Sequence, residues 1–188
     1  MVQFASRRTA PTVAATLVNI LQQRVPAPST LNPQATPELV RRSPDRKQVL
    51  MVHRNARKDD HQLGKYNGLG GKLEADEDVV TGMRREIREE AGIDCDELQL
   101  RGTISWPGFG RHGEDWFGFL FVVTRYSGEP FTSNAEGTLE WVDVGRVLDL
   151  PLWEGDRLFL PLVFDDDPRA FHGLMPNRDG LIQSSRVT

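Results

Sequence analysis

Residues 76–91 carry two chemically opposed stripes at helical spacing. Val80, Met83, Ile87 and Ala91 recur on one apolar face, while Glu86, Glu89 and Glu90 stand at i, i+3 and i+4 and converge on a patch about 100° away. Asp76, Glu77 and Asp78 suit the positive end of a helix dipole, and Gly92 suits its stop. The spacing predicts a helix over 76–91 whose apolar stripe lies on a sheet, leaving three carboxylates crowded on an adjoining face.

That crowding needs a counter-charge. Like charges at this spacing cost a few tenths of a kcal/mol per pair on an open helix, and more where water is excluded. A hard divalent ion with oxygen ligands, Mg²⁺ or Mn²⁺, is the natural occupant, since no Cys/His cluster of the zinc type accompanies the glutamates. Glutamates on a helix are usually a solvated face, and a lone glycine turn is usually an ordinary loop. Here the run Asn67-Gly68-Leu69-Gly70-Gly71-Lys72-Leu73-Glu74 feeds directly into the acidic helix. Glycines let a backbone approach an ion or phosphate closely, so the two in fixed register point to chemistry.

Around this centre the pattern predicts strands at 12–20, 48–53, 98–105, 117–124 and 139–142 and a second helix at 156–164. A C-terminal hairpin within 170–187 turns at Asn177-Arg178-Asp179-Gly180. The order implies an α/β (α+β) fold with a mixed sheet sandwiched by helices. Residues 23–46 are rich in proline and polar residues and read as an inserted surface loop. At 188 residues and 38% hydrophobic content, one domain spanning 1–188 is the expectation.

Charge and apolar runs narrow the partners. A formal net charge of -4 and a pI near 5.6 argue against a nucleic-acid partner. No window approaches the roughly 20 apolar residues of a membrane span. Arg7 and Arg8 precede a short apolar stretch, but Pro11 and Asn19 interrupt it, so a secretory leader is not expected. The single cysteine, Cys95, fits a reducing cytoplasm.

Gly71, Glu77 and Arg85-Glu86-Ile87-Arg88-Glu89-Glu90-Ala91-Gly92-Ile93 stand in a spacing that resembles the Nudix box, G-x5-E-x7-R-E-U-x-E-E-x-G-U, at every specified position. The resemblance implies a Nudix fold, with the box as a loop-helix-loop, and a magnesium-dependent hydrolase of nucleoside diphosphate linkages. It implies Glu86, Glu89 and Glu90 as metal ligands with the Gly71 carbonyl, Glu86 as candidate general base with Glu89 sharing the catalytic site, and Arg85 and Glu77 as an ion-paired brace. A loop carboxylate completing the metal site is placed at Glu136, with Glu140 as the alternative. Arg54 is positioned like a phosphate-binding residue of relatives; its other reading is a plain exposed arginine.

Two stretches outside the box, Tyr66 to Lys72 and Trp153 to Leu162, resemble the MutT-type branch that acts on oxidised purine nucleotides such as 8-oxo-dGTP. That likeness implies Asn67 and Asp156 as readers of the base edge and Trp153 as a stacking surface, with Phe117 and Trp106 as pocket walls. The branch carries two adjacent aspartates where this chain has Glu154, Gly155 and Asp156. Recognition by Asp156 alone, a contribution from Glu154, and a different base are therefore all open. The implied substrate is a small-molecule nucleotide. Competing functions are an ADP-ribose or dinucleotide pyrophosphatase, a non-catalytic nucleotide-sensing module and a pyrophosphohydrolase of RNA 5′ ends.

Overall fold

The computed structural model describes residues 14–23, 48–74, 76–110, 113, 115–178 and 181–188, with the backbone alone at 14–23. Most of the proline-rich insertion expected at 23–46, the first two residues of the strand expected at 12–20, and the last two residues of the Asn177-Gly180 turn lie outside the described residues.

One apolar strand organises the molecule. In β2 (Gln48–His53) alternate side chains point to opposite faces, yet every residue from Val49 to Val52 is at most 2% exposed. A strand reads as a continuous apolar run only when both faces are covered. Leu50 and Val52 join the core under the glutamate-bearing helix α1 (Val79–Ala91), with Met83, Ile87, Ala91 and Leu139. Val49 and Met51 join the opposite core under α2 (Glu154–Phe164), with Trp106, Leu120, Phe159, Val163 and Met175. The expected sandwich of helices around a mixed sheet is what forms.

The remaining strands are β1 (Ala14–Gln23), β3 (Tyr66–Asn67), β4 (Asp94–Trp106), β5 (Trp116–Ser127), β6 (Thr138–Asp143), β7 (Phe171–Leu174), β8 (Asn177–Arg178), β9 (Leu181–Ile182) and β10 (Arg186–Val187). The main sheet runs β10-β7-β4-β5-β1-β2-β3, and β6 also pairs with β2. β1 lies parallel to β5 and β7 parallel to β4, while the other pairs are antiparallel. β8 and β9 form the short hairpin expected near the C-terminus.

Helix ends follow local chemistry more than charge count. α1 begins at Val79 rather than at residue 76, because the Asp78 carboxylate accepts the N–H groups of Val80 (2.8 Å) and Thr81 (3.0 Å) as the N-cap. It ends where Gly92 adopts φ 73° and donates its N–H to Arg88 O. A side chain at Gly92 would also strike the Phe131 ring at 2.4 Å, so the position excludes other residues twice over. α2 starts two residues before the expected 156. Its C-terminal carbonyls are taken up by Arg101, whose side chain is 5% exposed and donates to the carbonyls of Leu162, Val163, Asp165 and Asp167 and to the Asp165 carboxylate.

Candidate functional site

The glycine turn closes on the acidic face of α1. Gly70, at φ 141°, donates its N–H to Glu90 Oε2 at 2.7 Å. Gly71 lies so near Glu86 that a Cβ there would stand 2.3 Å from Glu86 Oε1, a cradle that only glycine leaves open. Arg85 fastens the turn to the helix: it donates to both oxygens of Glu77 (3.0 and 2.6 Å) and to Lys72 O (3.1 Å). Its Nη1 also reaches Glu86 Oε1 at 2.9 Å and, more loosely, Glu89 Oε2 at 3.4 Å.

Electrostatics single out Glu90. Burial pushes its carboxyl up to about 8, and the negative charges of Glu136 and Glu86 add to the rise, against the opposing pull of the Gly70 N–H and Arg54. Glu86, Glu90 and Glu136 thus share one low-dielectric region, whereas the Glu89 side chain is 60% exposed. A clustered all-oxygen donor set of this kind fits a hard divalent ion. Among the described residues, however, no three His, Cys, Asp or Glu side chains converge as a ready-made cage. Arg85 draws on Glu86 and Glu89, and Arg54 holds Glu136, so cation binding requires these carboxylates to turn inward.

Arg54 is not offered to a phosphate as the sequence suggested. It is buried, and its guanidinium is fully engaged: Nε and Nη2 donate to Asp60 Oδ2 at 2.9 and 2.7 Å, and Nη1 pairs with Glu136. Its position beside the carboxylates makes it an internal counter-ion. The two readings of the loop carboxylate also separate. Glu136 faces the α1 glutamates, while Glu140 accepts from Tyr66 Oη at 2.9 Å and lies 3.3 Å from His53 Nδ1, whose ring stacks on Tyr66.

A second group of side chains gathers at the start of α2. Trp153 is 40% exposed, with the Lys65 ammonium 5.1 Å from its ring centroid and His61 at 6.3 Å. Burial pushes the Asp156 carboxyl up to about 7, with the backbone of Trp153 and the charges of Lys65 and Arg157 opposing it. Lys65 therefore adjoins both residues, and it also donates to Leu152 O at 3.0 Å. Asn67 lies two residues further along the chain, its Nδ2 donating to Gln62 Oε1.

Phe117 does not join this group. It packs edge-on against Phe119, which lies on the α1 side of the sheet. Alternation along β5 instead turns Trp116 to the α2 side, where it meets Phe109 and lies under Lys72. Trp106 faces the same side and contacts Phe159 and Phe109. Lys65, Lys72, Trp116, Asp60 and Gln62 were not singled out from the sequence. Strand parity from the buried Leu120 and Val122 identifies Trp116, but no sequence signal marks Asp60 or Gln62.

The chain matches the model of the NUDIX domain over residues 34–163. It is 34% identical over 100 residues to the oxidized purine nucleoside triphosphate hydrolase of Danio rerio, covering 53% of this chain and 63% of that protein, less than two thirds of the relative's length. The Mus musculus protein of the same name is 28% identical over 122 residues, 65% of this chain and 77% of the other. The solved structure of a MutT protein from Bacillus halodurans has a TM-score of 0.68 at 25% identity, covering 93% of this chain and 97% of that one. With the family's domain matched across most of its length, the chain belongs to the Nudix hydrolase family.

Proposed function

We propose that this protein hydrolyses a purine nucleoside triphosphate, with an oxidised base such as that of 8-oxo-dGTP, to the monophosphate and pyrophosphate. The observation that carries the reading is the closure of the glycine turn on Glu86 and Glu90, beside a separate aromatic and acidic group at Trp153 and Asp156. One end suits a polyphosphate with its cation, and the other suits a base. The names of the fish and mouse relatives support the same substrate class.

Glu86, Glu89, Glu90 and Glu136, with the Gly71 carbonyl, would hold Mg²⁺, or Mn²⁺ in its place. The ion would neutralise charge that builds on the phosphates and make water a better nucleophile. Glu86 takes the proton of the attacking water at its carboxylate, the general-base role. Trp153 offers a face for the base, and Asp156 and Asn67 read its edge. Arg54 and Arg85 are not free to grip the phosphates, because both are committed to carboxylates. Among the described residues no helix is long and apolar enough to cross a membrane. A cytoplasmic role in cleansing the nucleotide pool accords with this reading and with the single cysteine.

The test is purified protein with Mg²⁺ against 8-oxo-dGTP, dGTP, dATP, ADP-ribose, diadenosine tetraphosphate and 5′-triphosphate RNA, with products separated by chromatography. Preferred release of 8-oxo-dGMP and pyrophosphate supports the reading, and Glu86→Gln run beside it should lower turnover about 10²- to 10⁴-fold. Cleavage chiefly of ADP-ribose or the dinucleotide would keep the metal assignment and discard the base site.

A further inference from the structure

Glu136 approaches the α1 glutamates from the loop 128–137, and that loop is fastened to the end of the helix. Phe131 donates its N–H to Ala91 O at 2.9 Å, and Asn134 Nδ2 donates to Glu90 O at 3.2 Å. Both carbonyls belong to the last turn of α1, where no N–H further along the helix is available to them. The other side of the loop rests on the chain that follows β2. Ala56 donates its N–H to Glu136 O at 3.2 Å, and a Cβ at Gly137 would overlap His53 O.

Asn134 works at both of its ends. Its Oδ1 accepts the N–H groups of Glu136 at 2.9 Å and Gly137 at 3.1 Å, while its Nδ2 is engaged by Glu90 O. All three partners are main-chain groups, which cannot exchange roles as a side-chain amide can. Turning the Asn134 amide over would set Nδ2 against two N–H donors and Oδ1 against a carbonyl, so its orientation is fixed. One side chain therefore ties the main chain of Glu90 to the main chain of Glu136.

Those two residues would otherwise separate. Their carboxylates repel each other in a region sheltered from water, and a loop yields to such repulsion more readily than a helix does. Arg54 restrains the Glu136 side chain, but that ion pair has to loosen before a cation can use the same carboxylate. The tie through Asn134 persists through this exchange, because it involves neither carboxylate. We propose that Asn134 is a positioning residue that keeps Glu136 within reach of the α1 glutamates, so that a divalent cation meets a site whose loop side is already in place. The inference rests on the reading of Glu136 as a cation ligand given above. Such preorganisation is felt as affinity, since the ion does not have to order the loop as it binds.

The test is Mn²⁺ titration of the nucleotide-free full chain, read from the electron paramagnetic resonance signal of the free ion. Asn134→Ser and Asn134→Ala are each made alone and together with Glu136→Gln. Serine can still accept the Glu136 N–H but is too short to reach Glu90 O, so it keeps the turn and cuts the tie, whereas alanine removes both. Asn134→Ser should raise the Kd for Mn²⁺ about tenfold, and Asn134→Ala at least as much. Combined with Glu136→Gln, neither should weaken binding beyond Glu136→Gln alone, because Asn134 acts through that carboxylate. Wild-type affinity in Asn134→Ser, even with a lowered Tm, would overturn the proposal, as would equal losses with and without Glu136→Gln. Glu136→Gln alone separates the levels: if it binds Mn²⁺ as tightly as the wild type, Glu136 is not a ligand and the role of Asn134 falls with it. If Glu136→Gln weakens binding and Asn134→Ser does not, only the role of Asn134 is refuted.

Discussion

Asp156→Asn should make this protein more stable at mildly alkaline pH and leave it little changed in acid. In the fold, burial lifts the Asp156 carboxyl from 3.8 to about 7. Between those values the unfolded chain has lost the proton that the folded chain retains, so the group's contribution to stability falls as pH rises through the window and levels off above it. The rise corresponds to a ceiling of ~4 kcal/mol against the ionised form in the fold. Asparagine carries no such penalty but forgoes the attraction of Lys65 and Arg157, so a net gain of ~2 kcal/mol near pH 8 is expected. Urea unfolding followed by tryptophan fluorescence would register this as a midpoint raised by roughly 1 M, shrinking progressively toward pH 4. Taking the difference between variant and wild type removes every other titrating group common to both. A difference that stays constant from about pH 4 to about pH 8 would refute a raised Asp156 carboxyl. The same variant should lose discrimination among bases, as expected where a strained group is kept for recognition.

Two other substitutions separate catalysis from architecture. Gly71→Ala suits the local backbone, but its Cβ would land 2.3 Å from Glu86 Oε1, so the flexible glutamate must move. Turnover should fall on the order of 100-fold with little change in Tm, and near-normal turnover would show that Glu86 needs no fixed position. Arg101→Met leaves the carbonyls at the end of α2 without the buried donor that serves them, and the partly exposed Asp165 without its partner. A loss of ~3 kcal/mol, or a Tm lower by roughly 6 to 12 °C, should appear in thermal unfolding, and a shift under about 2 °C would contradict the capping role.

What could be read from the sequence depended on whether neighbouring residues carried it. The run Val49 to Val52 announced a buried strand, and the stripe Val80, Met83, Ile87 and Ala91 announced a helix on a sheet, because periodicity is local. Pairing across the sheet is not local. The family resemblance makes Phe117 a pocket wall, but alternation sends it to the α1 side and Trp116 to the other. Arg54 stood where a free cation was expected, yet a carboxylate six residues later and another from the loop before β6 enclose it. The α1 helix starts three residues late for a simpler reason: of Asp76, Glu77 and Asp78, one is consumed as the cap and another, Glu77, as the partner of Arg85.

The pairing of β1 has a consequence in time. Eight of its residues, Ala14 to Leu21, line up with Trp116 to Val123, about 100 residues later, whereas β2 pairs with only Leu21, Gln22 and Gln23. During synthesis at roughly 5–20 residues per second, β1 emerges from the ribosome some 5–20 s before its principal partner exists. Its backbone N–H and C=O groups wait that long with most of their pairing unmade, and the sheet cannot close from the N-terminal end. The β4–β5 hairpin, by contrast, pairs strands adjacent in sequence, and β5 supplies the edge along which the first strand lies.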